Sequence, residues 1–100
     1  MGIDIINALY YFYNMNYYYA KNTTKDSVGN RVDYIPLNSV ESFSQIGDSM
    51  VVINMKAGNQ FQIYKKFSTF EFREKPVEFE EITKLLYQIR LDIDAHKQND

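Results

Sequence analysis

From Phe79 onward the apolar residues return every three or four positions. Phe79, Ile82, Leu86, Ile89 and Ile93 are spaced 3, 4, 3 and 4, and Leu85 lies on the same stripe. That spacing predicts an amphipathic helix over 76–95 with one face on a core. Pro76 suits a first helical turn, where its missing N–H costs nothing. Glu78, Glu80 and Glu81 carry the sign that the positive end of a helix favours, and His96 and Lys97 carry the opposite sign at its end.

Between residues 31 and 73 the period shortens to two. Ser49–Lys56 and Gln60–Phe67 read as strands around the three-residue loop Ala57-Gly58-Asn59, in which Gly and Asn tolerate positive φ. Pairing Lys56 with Gln60 sets Met55 opposite Phe61 and Ile53 opposite Ile63, with Asn54 opposite Gln62 on the other face. Val40–Ile46, joined through Gly47-Asp48-Ser49, extends the row to Phe43, Ile53 and Ile63, with Ser42, Asn54 and Gln62 as the polar row behind it. Arg31–Leu37 reads as a further strand, which Pro36 ends or places at an edge. Asp26 to Asn30 is a turn cluster, and Tyr17–Lys21 the matching hairpin strand. Phe67–Arg73 either prolongs the preceding strand or bends away after Ser68-Thr69. The first thirteen residues mix helical spacing (Ile5, Leu9, Phe12) with a strand-like crowding of aromatics, and strand is the reading favoured here.

The expected fold class is α+β: an antiparallel β-meander of four to six strands packed against one C-terminal amphipathic helix. One hundred residues leave room for a single domain, with a Tyr-rich segment over 1–21, a sheet over about 31–73 and the helix over about 76–95.

The sequence from Tyr34-Ile35-Pro36-Leu37 through Val51-Val52-Ile53 and Gly58-Asn59 to Phe79-Glu80-Glu81-Ile82 resembles bacterial pleckstrin-homology-like domains, antiparallel meanders closed by a C-terminal helix. The resemblance covers about residues 31–93 and is one of pattern. It implies a scaffold for binding peptides, proteins or lipids and carries no catalytic residue across. An aliphatic-Pro-Leu strand opening a meander also occurs in LytTR-type DNA-binding domains, from which this chain departs by lacking a basic cluster.

Charge narrows the partners. Eleven basic residues against thirteen acidic ones give a formal net charge of −2, the wrong balance for gripping a phosphate backbone. There is no cysteine, so disulfides and thiolate chemistry are excluded. The four glycines form no phosphate-cradling loop, the single histidine, His96, lies near the helix end, and the early glutamates fit helix electrostatics. No enzyme, cofactor or metal is therefore expected. The longest uncharged run, Ile5 to Ala20, is shorter than the ~20 apolar residues of a spanning helix and contains three Asn. It lacks the marks of a signal peptide, so a cytoplasmic protein is expected. Phe, Tyr, Met, Ile, Asn and Lys supply 47 residues against 13 of Gly, Ala, Arg and Pro. This is the imprint of AT-rich coding, as in a phage or a low-GC bacterium.

Candidate binding residues come from the aromatics, 16% of the chain. Tyr10, Tyr11, Tyr13, Tyr17, Tyr18 and Tyr19 crowd one segment, and neighbours on a strand face opposite sides. Some of them therefore face solvent or a contact, or else pair across both faces of a sheet. Tyr87 and Leu91, four apart, fall opposite the Ile82 stripe. The expectation is a non-catalytic protein-binding module, with another protein or a second copy as partner. The alternative is a single-stranded nucleic-acid binder stacking bases on the same tyrosines, for which Lys21, Lys25 and Arg31 are the only nearby bases.

Overall fold

A computed structural model describes residues 18–98. Seven strands and one helix follow one another: β1 (Tyr19–Lys25), β2 (Asn30–Pro36), β3 (Val40–Ile46), β4 (Met50–Met55), β5 (Gln60–Tyr64), β6 (Ser68–Phe72), β7 (Lys75–Val77) and α1 (Ile82–Gln98). Short 3-10 turns at Leu37–Ser39 and Phe79–Glu81 precede β3 and α1. The strands form two antiparallel sheets, one ordered β2-β1-β6-β7 and the other β3-β4-β5. The fold is α+β, with seven strands where four to six were expected.

Two sheets arise because the chain changes layer twice. Pro36 ends β2, and the 3-10 turn after it carries the chain from one sheet to the other. After β5 the segment 65–67 turns back, so Phe67–Arg73 bends away as β6 rather than prolonging β5. The layers are stitched where β5 nears β1 and β6. Asn22 Nδ2 donates to the Gln62 carbonyl at 3.4 Å, and the Tyr64 N–H donates to Ser68 Oγ at 2.9 Å.

The core fills from alternate positions of both sheets. Ile35, Val51, Ile53, Ile63 and Phe70 are buried, and the helix adds Ile82, Leu86 and Ile89, with Leu85 and Ile93 half-buried on the same cluster. Burying such side chains contributes roughly 1.5–3 kcal/mol each.

Three expectations are corrected. The helix does not begin at Pro76: that residue lies in β7 opposite Glu71, an edge position where a missing N–H is equally harmless. The 3-10 turn follows it, and α1 starts at Ile82 and runs past Ala95. The hairpin strand expected over Tyr17–Lys21 is β1, which continues through Asn22-Thr23-Thr24 to pair with β2 along its length.

The third correction is a register. β3 pairs with β4 as expected, Phe43 opposite Ile53, but Ile53 faces Phe61 and Val51 faces Ile63. The loop has three residues, yet they are Lys56-Ala57-Gly58. The Gly58 N–H donates to the Met55 carbonyl at 2.9 Å, the Met55 N–H to the Asn59 carbonyl at 2.9 Å, and Gly58 holds φ at +100°. Glycine, not Asn59, takes the positive-φ position that closes such a loop, so the loop starts one residue earlier and the pairing moves by two. A shift of two keeps every side chain on its face. The polar row is therefore Ser42, Asn54 and Gln60, with Gln62 one step along.

Candidate partner-binding surface

The outer face of the β3–β4–β5 sheet follows from this register. Phe43, Val51, Ile53, Phe61 and Ile63 point into the core. Ser42, Ser44 and Ile46 on β3, Met50, Val52 and Asn54 on β4, and Gln60, Gln62 and Tyr64 on β5 take the other side. None of these nine residues is charged, in a chain with 24% charged residues. One end is polar and internally bonded. Asn54 Nδ2 donates to Ser42 Oγ at 3.1 Å, Gln60 Nε2 to Asn54 Oδ1 at 3.0 Å, and Gln62 Nε2 to Gln60 Oε1 at 3.1 Å. The Tyr64 hydroxyl completes the chain at Gln62 Oε1.

The other end is apolar. Ile46 pairs with Met50 and Met50 with Tyr64, whose ring meets Phe67 edge-on at 6.4 Å. Ile46 is 51% exposed and Phe67 58%. Sequence reading missed this patch. Phe67 was assigned to a strand end, and the convergence of Ile46 and Phe67 on Tyr64 depends on the layer change after β5.

The helix offers a smaller apolar ridge. Tyr87 and Leu91 are exposed, opposite the buried stripe of Ile82, Leu86 and Ile89. Beside α1, a cleft of about 110 Å³ opens toward β3, with Val40, Phe43, Leu86 and Ile93 in its walls. It is well below the ~300 Å³ of ordinary small-molecule pockets. Arg90 Nη2 spans one side of it and donates to the Glu41 carbonyl at 2.6 Å and the Val40 carbonyl at 3.5 Å. The β3 edge is thereby capped where its ladder shifts between Val40 and Ser42.

Of the six clustered tyrosines, the described part of the structure contains Tyr18 and Tyr19. Tyr18 is half-buried against the core, and its hydroxyl donates to Asp92 Oδ2 at 3.0 Å, so it ties the fold together. Tyr19 is half-buried in β1 opposite Pro36. Tyr10, Tyr11, Tyr13 and Tyr17, and the His96 side chain, lie outside the described part, so the structure does not bring the tyrosine cluster together.

The helix-proximal glutamates are occupied with lysines. Glu81 Oε1 lies 3.7 Å from Lys84 Nζ, and Glu80 Oε1 lies 2.9 Å from Lys65 Nζ, which also sits 5.9 Å from the Phe79 ring centroid. The hydrogen bond with Glu80, then its charge, raises the Lys65 ammonium above its ordinary value. The bond from Lys65, then a backbone hydrogen bond, lowers the Glu80 carboxyl. Among the described residues no three His, Cys, Asp or Glu are grouped to hold a metal ion, and no described helix is long and apolar enough to cross a membrane.

No protein-family model matches the chain, and no curated protein or solved structure matches it significantly.

Proposed function

We propose that this chain is a non-catalytic, pleckstrin-homology-like protein-binding module working in the cytoplasm. Its partner rests on the open face of the β3–β4–β5 sheet. Tyr87, Leu91 and the tyrosines preceding β1 extend the contact. The observation that carries the reading is the uncharged outer face, which ends in an exposed apolar row on rigid strands. Exposed apolar groups rimmed by polar ones mark protein contacts, and aromatic anchors beside bonded amides are the chemistry such contacts use. The antiparallel meander with its C-terminal helix is compatible with a pleckstrin-like scaffold. The AT-rich composition directs the search to a bacterial host, with a phage-encoded regulator as one source.

The test is affinity capture from a low-GC bacterial extract, with mass spectrometry, using wild type and the double variant Ile46→Ser, Phe67→Ser. Both sites are exposed, so the variant should keep its stability within about 0.5 kcal/mol. A specific protein captured by wild type, lost by the variant and retained as salt rises tenfold supports the module. Capture that is unchanged in the variant overturns this face as the site. Oligonucleotide binding that falls steeply with salt replaces the reading with single-stranded nucleic-acid recognition.

A further inference from the structure

The free edge of β2 carries its own complement. The β1–β2 ladder alternates between pairs that exchange hydrogen bonds and pairs that do not. The Leu37 N–H donates to the Tyr18 carbonyl at 2.7 Å and the Asp26 N–H to the Gly29 carbonyl at 2.9 Å, one pair beyond each end of the ladder. In the same register Ile35, Asp33 and Arg31 are bonded to β1. Asn30, Val32 and Tyr34 therefore aim their N–H and C=O groups away from it, and these groups have no partner among the described residues. The other edges are managed: Arg90 caps β3, Asn22 and Ser68 reach β5, and β7 is three residues long with a central Pro.

We propose that two copies of the chain join along β2, antiparallel, about a two-fold axis through Val32. In that register Val32 exchanges both hydrogen bonds with its counterpart, and Asn30 and Tyr34 exchange theirs with each other's copies. Between them Arg31 faces the Asp33 of the second copy, and Asp33 faces its Arg31. These two residues lie on one side of the strand and already touch within a chain, Nε to Oδ2 at 3.2 Å. The charges are antisymmetric about Val32, so self-pairing sets opposite charges across the seam at both positions, the arrangement cross-strand pairs favour. Pro36 falls opposite the turn residue Val28, beyond the ladder. Its lack of an N–H costs the pairing nothing and limits its length. Val32 and Tyr34 are 43% and 63% exposed on the outer side of the strand. The product is one continuous sheet across two copies, isologous as a two-fold contact requires. A ladder of five residues falls short of the ~800 Å² per partner of a standard interface, so the dimer is weak, with a Kd of about 10–100 µM. The proposal is independent of the partner-binding face.

Sedimentation of the full chain between about 5 and 500 µM reads the equilibrium. Val32→Lys sets two ammonium groups against each other at the axis while leaving an exposed site of the monomer, and should weaken the dimer at least about tenfold. Arg31→Asp should weaken it similarly, and adding Asp33→Arg to that variant should restore it to within about threefold of wild type. Thermal melts confirm that each variant is folded. Hydrogen exchange gives a second readout: amides 30, 32 and 34 should gain protection as concentration rises, and amides 31 and 33 should not. A wild-type monomer throughout the range, a dimer indifferent to Val32→Lys, or a charge swap without rescue each overturns the proposal.

Discussion

The Tyr18 hydroxyl donates to Oδ2 of Asp92 at 3.0 Å, joining the residue before β1 to the second half of α1 across 74 positions of chain. The Tyr18 carbonyl meanwhile accepts from the Leu37 N–H at 2.7 Å. One residue thus holds the helix and the β2 end together. Tyr18→Phe keeps the ring against the core and removes only the hydroxyl bond. Urea unfolding should show a loss of about 1 kcal/mol, the net worth of a partly buried bond. An unchanged midpoint would show the hydroxyl to be equally well served by water.

The Lys65–Glu80 pair links the β5–β6 turn to the 3-10 turn before α1 and gives stability a defined pH window. Glu80 titrates below its ordinary 4.5, so its contribution is present above that value and is lost as pH falls through the lowered one. Lys65 titrates above its ordinary 10.5, so its contribution is present below that value and is lost as pH rises through the raised one. Both groups are exposed, and the effect is small and screened by salt. Melts of wild type and Glu80→Gln should differ slightly and constantly between about pH 6 and 9, and converge below about pH 3. A difference that grows in acid would contradict the pairing.

What the sequence disclosed depended on whether the signal was periodic or positional. The α1 stripe and the two faces of β4 were legible because burial repeats at 3.6 or 2 residues, and a pairing error of two residues leaves Ile53 and Ile63 equally buried. Pro76 was ambiguous because helix starts and edge strands both tolerate a missing N–H. The β1 boundary was obscured by Asn22-Thr23-Thr24, polar residues of which Asn22 and Thr24 are buried. The Ile46–Phe67 patch was not legible at all. It forms from residues on two hairpin ends that only the layer change brings to the same sheet face.

The register turns on Gly58, which gives a direct check. A Cβ there would meet nothing within 4 Å, so any cost of Gly58→Ala is conformational. At φ +100° that cost should be about 1–2 kcal/mol in chemical unfolding. Asn59→Ala should cost less than about 0.5 kcal/mol, because Asn59 is an exposed residue outside the positive-φ region. The opposite ranking would restore the loop Ala57-Gly58-Asn59.

The β6–β7 hairpin holds strain of its own. Phe72 pairs with Lys75, and the two residues between them, Arg73 and Glu74, have φ of +52° and +67°. Two-residue loops with both residues at positive φ favour Asn-Gly, whereas this one uses two long charged residues. The Arg73 guanidinium lies 4.6 Å from the Phe72 ring centroid, which offsets part of the cost. Arg73→Asn with Glu74→Gly should raise stability by about 1 kcal/mol, or about 4–8 °C in Tm for a domain of this size. A lower Tm would mean that the Arg73 contacts outweigh the backbone strain.

Asn22 poses the remaining question of sign. Its side chain is fully buried between the sheets, and its amide nitrogen has two partners, Thr24 Oγ1 and the Gln62 carbonyl, both at 3.4 Å. Its Oδ1 has none. An unsatisfied buried oxygen costs about 1–3 kcal/mol, and two bonds at the long limit of hydrogen-bond geometry return less than two ordinary ones. Asn22→Val removes that oxygen, places a β-branched side chain in a strand flanked on both sides, and adds apolar burial beside Phe70, the facing residue of β6. Against this, the Gln62 carbonyl loses its donor, although Thr24 Oγ1 keeps its bond to Ser68 Oγ at 3.0 Å. The balance favours the substitution, and urea unfolding should find Asn22→Val between neutral and about 1.5 kcal/mol more stable than wild type. A loss of more than about 1 kcal/mol would show that Oδ1 is satisfied in solution by a buried water, and that Asn22 earns its place as the polar clasp between the two sheets.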